Sequence, residues 1–200
     1  MMTPKNFLRQ CVLACALGGA SLGALASPIN FHVDLNTAGA TSAAYIDFLF
    51  TKIDSAAPAT VTVSNFTGGF GVADYFEGAV AFLGAGKIVI GNGPDFSNLL
   101  EFNPVFGGTF GFDLAFSSGF LGAATTDGST FAVTVLDAGL APLSGIVQFD
   151  LSSADGILAN DPGAFATIAA VPEPSAPLMW LTGLGLAGWM ARRRKALAAR

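Results

Sequence analysis

The chain has 200 residues, of which 52% are hydrophobic and only 12% charged, with a formal net charge of −5. Residues 27–170 carry thirteen carboxylates against Lys52 and Lys87, a net of −11, because seven of the nine cations lie in the two end segments. A surface this acidic repels phosphate backbones, which argues against a nucleic-acid partner, and it keeps an apolar, glycine-rich domain soluble.

At the amino terminus, Lys5 and Arg9 precede an apolar run from about Cys11 to Leu25, and Ala24-Leu25-Ala26 supplies a small-residue cleavage site before Ser27. Residues 1–26 therefore read as a secretory signal peptide for signal peptidase, with Ala24, Ala26 and Ser27 framing the cut. A lipoprotein signal ending at Cys15 is the rival reading and fits less well, since Leu13 precedes it and the apolar run continues past it. Cys11 and Cys15 both lie inside the peptide, so cleavage after Ala26 leaves no cysteine for a disulfide or a metal.

Residues 27–170 are the size of one domain, and period-two alternation dominates them. Phe31, Val33 and Leu35 alternate with His32, Asp34 and Asn36; Val61 and Val63 alternate with Thr60, Thr62 and Ser64. Further strands are predicted at about 45–53, 79–83, 87–90, 98–102, 110–116, 129–136, 145–151 and 164–169. Turn residues separate them, among them Thr67-Gly68-Gly69, Gly91-Asn92-Gly93-Pro94, Gly107-Gly108 and Asp155-Gly156. A short helical stretch is expected around 155–160. The predicted fold is all-β: an antiparallel, jelly-roll-like β-sandwich, flanked by the signal peptide and a carboxyl-terminal transmembrane helix. Phenylalanine, eighteen in the chain against two tyrosines, is expected to fill the core. A sugar platform would instead need two or three rings stacked in solvent.

Few residues offer chemistry. His32 is the only histidine; on the polar face of its strand beside Asp34, it reads as a solvated or hydrogen-bonded side chain, and triads and histidine zinc sites lack their parts. Asn92, Asp95 and Asn98 place several oxygens on one glycine-rich loop, a calcium candidate, although such turns commonly bond their own backbone. Glu77 with Glu101 is one carboxylate pair that glycoside hydrolysis could use, but nothing in the sequence favours it over the other acids.

The tail has its own organisation. Val171-Pro172-Glu173-Pro174-Ser175 presents an acid between two prolines, which hold the stretch out of helical conformation. Residues 176–191 carry no charge, and as a helix rising about 1.5 Å per residue they would span roughly 24 Å, slightly short of a hydrocarbon core. Trp180 and Trp189 stand near its two ends, and Arg192, Arg193, Arg194 and Lys195 follow as a membrane stop that sets the carboxyl terminus in the cytoplasm. Gly183 to Gly188 fits a dinucleotide-loop pattern, but it has no preceding strand and reads as membrane-helix glycine.

This order of motif, apolar segment and arginine-rich end resembles the PEP-CTERM sorting signal of Gram-negative bacteria over residues 171–200, with Pro172-Glu173-Pro174 as its motif. The resemblance implies passage through the inner membrane, processing by exosortase, and a cell-surface or extracellular-matrix destination alongside exopolysaccharide, as in a biofilm matrix. The passenger, with FHVDL, FDLAF and QFDL, resembles small PEP-CTERM passenger domains more weakly. The expectation is a non-enzymatic surface protein with no cofactor; the alternative is a carbohydrate-binding module, calcium-dependent in one version.

Overall fold

The computed structural model describes residues 29–171 except 126, 144–146 and 161–162. The signal peptide with Ala24, Ala26 and Ser27, the motif residues Pro172, Glu173 and Pro174, the apolar segment and Arg192 to Lys195 lie outside the described residues.

Twelve strands form two six-stranded antiparallel sheets, and no helix occurs among the described residues. The strands are β1 (Ile29–Asn36), β2 (Ala43–Lys52), β3 (Thr60–Thr67), β4 (Ala73–Glu77), β5 (Val80–Gly84) and β6 (Lys87–Gly91), then β7 (Ser97–Phe102), β8 (Thr109–Phe116), β9 (Ser129–Asp137), β10 (Val147–Ser152), β11 (Gly156–Asn160) and β12 (Ala166–Ala170). One sheet has the order β12-β1-β8-β3-β6-β5, the other β11-β10-β9-β2-β7-β4. The nested pairing of β1 with β8, β2 with β7 and β3 with β6 is that of a rolled-up hairpin, the jelly-roll arrangement. Two strands depart from the sequence expectation. Residues 156–160 form β11 rather than a helix, because Leu151, Asp150 and Phe149 of β10 offer a free ladder to Ile157, Leu158 and Ala159; tertiary pairing outweighs local preference. β4 carries no clean alternation and escaped the pattern altogether: four of its five residues are exposed.

Inward positions from both sheets fill one core. Val33, Leu35, Val61, Val63, Ile90, Phe112, Leu114 and Phe116 from the first sheet meet Ile46, Phe48, Phe50, Leu100, Phe131, Val133 and Phe149 from the second, all essentially without solvent contact. Among the described residues, eleven phenylalanines are buried. Their rings pack edge-on or tilted, the arrangement that the ring quadrupole favours: Phe48 lies 5.1 Å from Phe112, Phe31 5.0 Å from Phe149 and Phe116 5.7 Å from Phe131. In β3 the register shifts after Ser64, where Asn65 adopts a left-handed conformation (φ 54°) that asparagine tolerates. The shift turns Asn65 outward and sends Phe66 in, against Phe70 and Phe102.

Candidate functional site

The sorting tail leaves the sandwich at a defined place. β12 is the edge strand of its sheet and pairs antiparallel with β1, Phe31 opposite Ala170. Past the end of β12, the Val171 N–H still donates to the Asn30 carbonyl at 2.9 Å. The folded sheet therefore continues to the residue before Pro172, with no spacer between them. β1 begins at Ile29, so the start and the end of the domain lie side by side at one end of the sandwich.

On the outer face above that exit, β1 and β8 bring His32 opposite Asp113. His32 Nδ1 donates to Asp113 Oδ1 at 2.5 Å, and its Nε2 lies 3.4 Å from Asp34 Oδ1. Asn65 Nδ2 donates to the other Asp113 oxygen at 2.6 Å, tying β3 into the same cluster. The Asp113 hydrogen bond and the charge of both carboxylates outweigh partial desolvation and raise the imidazole pKa. Partial burial pushes the Asp113 carboxyl up, but the His32 and Asn65 hydrogen bonds and the imidazolium charge outweigh it and hold the group below the usual range. With both ring nitrogens facing carboxylates, this histidine clamps β1 to β8 across the ladder.

Two of the three calcium candidates have their side-chain amides engaged within the fold. Asn92 is buried, and its Oδ1 accepts the Ala59 N–H at 2.9 Å while Nδ2 donates to Ala57 O and Ser129 Oγ. Asn98 is buried too; its Oδ1 accepts the Ala79 N–H at 2.6 Å. Both amide oxygens thus already hold backbone donors, whereas Asp95 stands exposed on the loop between them. These asparagines pin connections to the sheets, the role that Asx side chains commonly take.

The outer face of the second sheet holds an arrangement that spacing alone did not reveal. Glu101 of β7 sits opposite Asp47 of β2 on one side and Tyr75 of β4 on the other. The Tyr75 hydroxyl donates to Glu77 Oε2 at 3.1 Å, so the acids Asp47, Glu101 and Glu77 share one face with an exposed aromatic ring. Asp47 Oδ1 is buried with no hydrogen-bond partner among the described residues. Desolvation, then the neighbouring Glu101 carboxylate, push the Asp47 carboxyl up to about 7. Only the strand register exposes this pair, since 54 positions of chain separate the two acids.

Among the described residues, no group of three or more His, Cys, Asp or Glu side chains is placed to hold a metal ion, and no helix is long and apolar enough to cross a membrane. Comparison with curated proteins and with solved structures finds no match. The profile of the PEP-CTERM protein-sorting motif, in contrast, matches residues 170–195. The match begins at Ala170, the last residue of β12, so the recognised signal and the edge of the sandwich share a residue. The chain therefore carries the PEP-CTERM protein-sorting motif, the signal of an exported precursor destined for exosortase.

Proposed function

We propose that the protein is a non-enzymatic component of the cell surface or extracellular matrix, delivered by signal peptidase and exosortase and retained with exopolysaccharide. The single observation that carries this reading is the sorting motif joined without a spacer to an all-β domain. The domain's one histidine is engaged by two carboxylates, which suits a structural passenger better than a catalyst. In this reading the apolar segment stops in the inner membrane, Arg192 to Lys195 stay in the cytoplasm, and the sandwich faces outward with no resident cofactor. The test is to express Glu173→Ala in the native host and fractionate the cells. The substituted chain should accumulate in the inner membrane and vanish from the matrix; unchanged delivery to the matrix would contradict the proposal.

The outer face of the second sheet favours a second reading, a carbohydrate-binding module. The exposed Tyr75, beside Glu77 and Glu101, offers a ring for a pyranose and acceptors for its hydroxyls. Glycan-array binding by the exported protein, with and without calcium, that disappears in Tyr75→Ala would support it; an array without signal under both conditions would remove it.

A further inference from the structure

In a closed roll, the innermost strands β4 and β5 would pair with each other. Here they do not: β4 ends one sheet and β5 ends the other, so the two strands face each other across an open gap. The gap is a cleft of about 500 Å³, within the size range of small-molecule sites. Its inner wall continues the aromatic core, formed by Phe66, Phe70 and Phe102 with ring centroids 4.9 to 5.6 Å apart. Phe76 from β4 and Phe82 from β5 stand over the mouth edge to face, 5.2 Å apart. About half of each of these two residues is exposed to water, 53% and 49%. Keeping that much aromatic surface wet forgoes burial energy, and it marks a binding surface more often than a resting one.

One polar feature breaks the apolar lining. Lys87, the first residue of β6, borders the same cleft and is one of only two cations between residues 27 and 170. The ion pairs found among the described residues both belong to His32, which leaves the Lys87 ammonium without a carboxylate partner there.

We propose that this cleft binds an amphiphile with an anionic end, of the class of long-chain fatty carboxylates. The chain lies between the phenylalanine rings and the carboxylate reaches Lys87. Charge favours this occupant over a second copy of the protein, which would bring another domain of net charge −11 to the same edge. Ring geometry favours it over a sugar, because two rings set at 73° to each other give no flat platform for a pyranose. The cleft also lies at the opposite edge of its sheet from β12, where the sorting tail departs, so a tethered precursor keeps it accessible.

The experiment uses the full chain in phosphatidylcholine vesicles with palmitic acid carrying a terminal diazirine as the probe. Photolysis and peptide mapping should place saturable label, competed by unlabelled palmitate, on peptides containing Phe76, Phe82 or Phe66 and Phe70. Lys87→Gln should cut that labelling by about fivefold, the worth of one partly exposed charge interaction, and Lys87→Arg should restore it. Residues 176–191, which the proposed function sets in the same bilayer, report the probe concentration and should label equally in all three forms. Lys87 is exposed, so these substitutions leave the core untouched, which an unchanged melting temperature verifies. The proposal is overturned if the cleft peptides take no saturable label, if the neutral methyl ester of the probe labels them equally well, or if irradiation instead joins two copies through β5.

Discussion

Asp47 and His32 make the domain's stability depend on pH in one direction. An acid whose folded pKa is raised binds its proton more tightly in the folded state, so its stabilising contribution is present at low pH and is lost as pH rises from the unfolded value of 3.8 towards about 7. His32, also raised, adds stability that is complete below its unfolded pKa of 6.5 and fades as pH climbs through the folded value. Asp113 acts oppositely, since its lowered pKa costs stability only below the ordinary carboxylate range. The urea midpoint should therefore be higher at about pH 5 than at about pH 8, and Asp47→Asn should flatten much of that slope while raising the midpoint at the higher pH. A midpoint that rises with pH over this window would contradict the placement of Asp47 beside Glu101. None of this could be read from the chain: Asp47 looks like any outward-facing acid of an alternating strand until the register sets Glu101 opposite it.

At the scale of elements, the strands with alternating apolar residues were legible, whereas of the four edge strands β5 and β12 were placed and β4 and β11 were not. β1, β3 and β8 follow their pattern because one face is buried and the other wet, and the core phenylalanines follow with them. β4 is an edge strand with four of its five residues exposed, so burial imposed no period on it, and β11 is a five-residue edge strand whose Ile157 and Ala159 bury only in part. The link between β4 and β5 shows what holds the open edge. Gly78 has φ 76°, and a Cβ there would run into the Asn98 side chain that accepts the Ala79 N–H. Gly78→Ala should cost at least about 1–2 kcal/mol, from the left-handed backbone alone. Thermal unfolding checks it, and an alanine variant as stable as the parent would mean that β4 and β5 are not separated by this turn. The same constraint gives Asn98, which by composition suggested a metal ligand, the part of a clasp on the Ala79 N–H.

For the molecule as a whole, the ends of the domain matter more than any pocket. Adjacent termini let the sandwich hang from a single point, with its entry strand β1 and exit strand β12 zipped together. The acidic surface favours dispersion of a domain with so many aromatic residues. The sorting tail was legible in the sequence because proline, hydrophobicity and charge act there without tertiary partners. The cleft between β4 and β5 was not, because it exists only where these consecutive strands end different sheets instead of pairing. Since the sheet runs directly into the motif, exosortase must work close against the folded sandwich, and the product should end near Pro172 with the domain intact. Intact-mass measurement of the protein recovered from the native host's surface or medium tests the central claim most directly. The account predicts a species that begins at Ser27 and lacks the apolar segment and the basic end; a soluble, intracellular species with the mass of the entire 200-residue chain would contradict it.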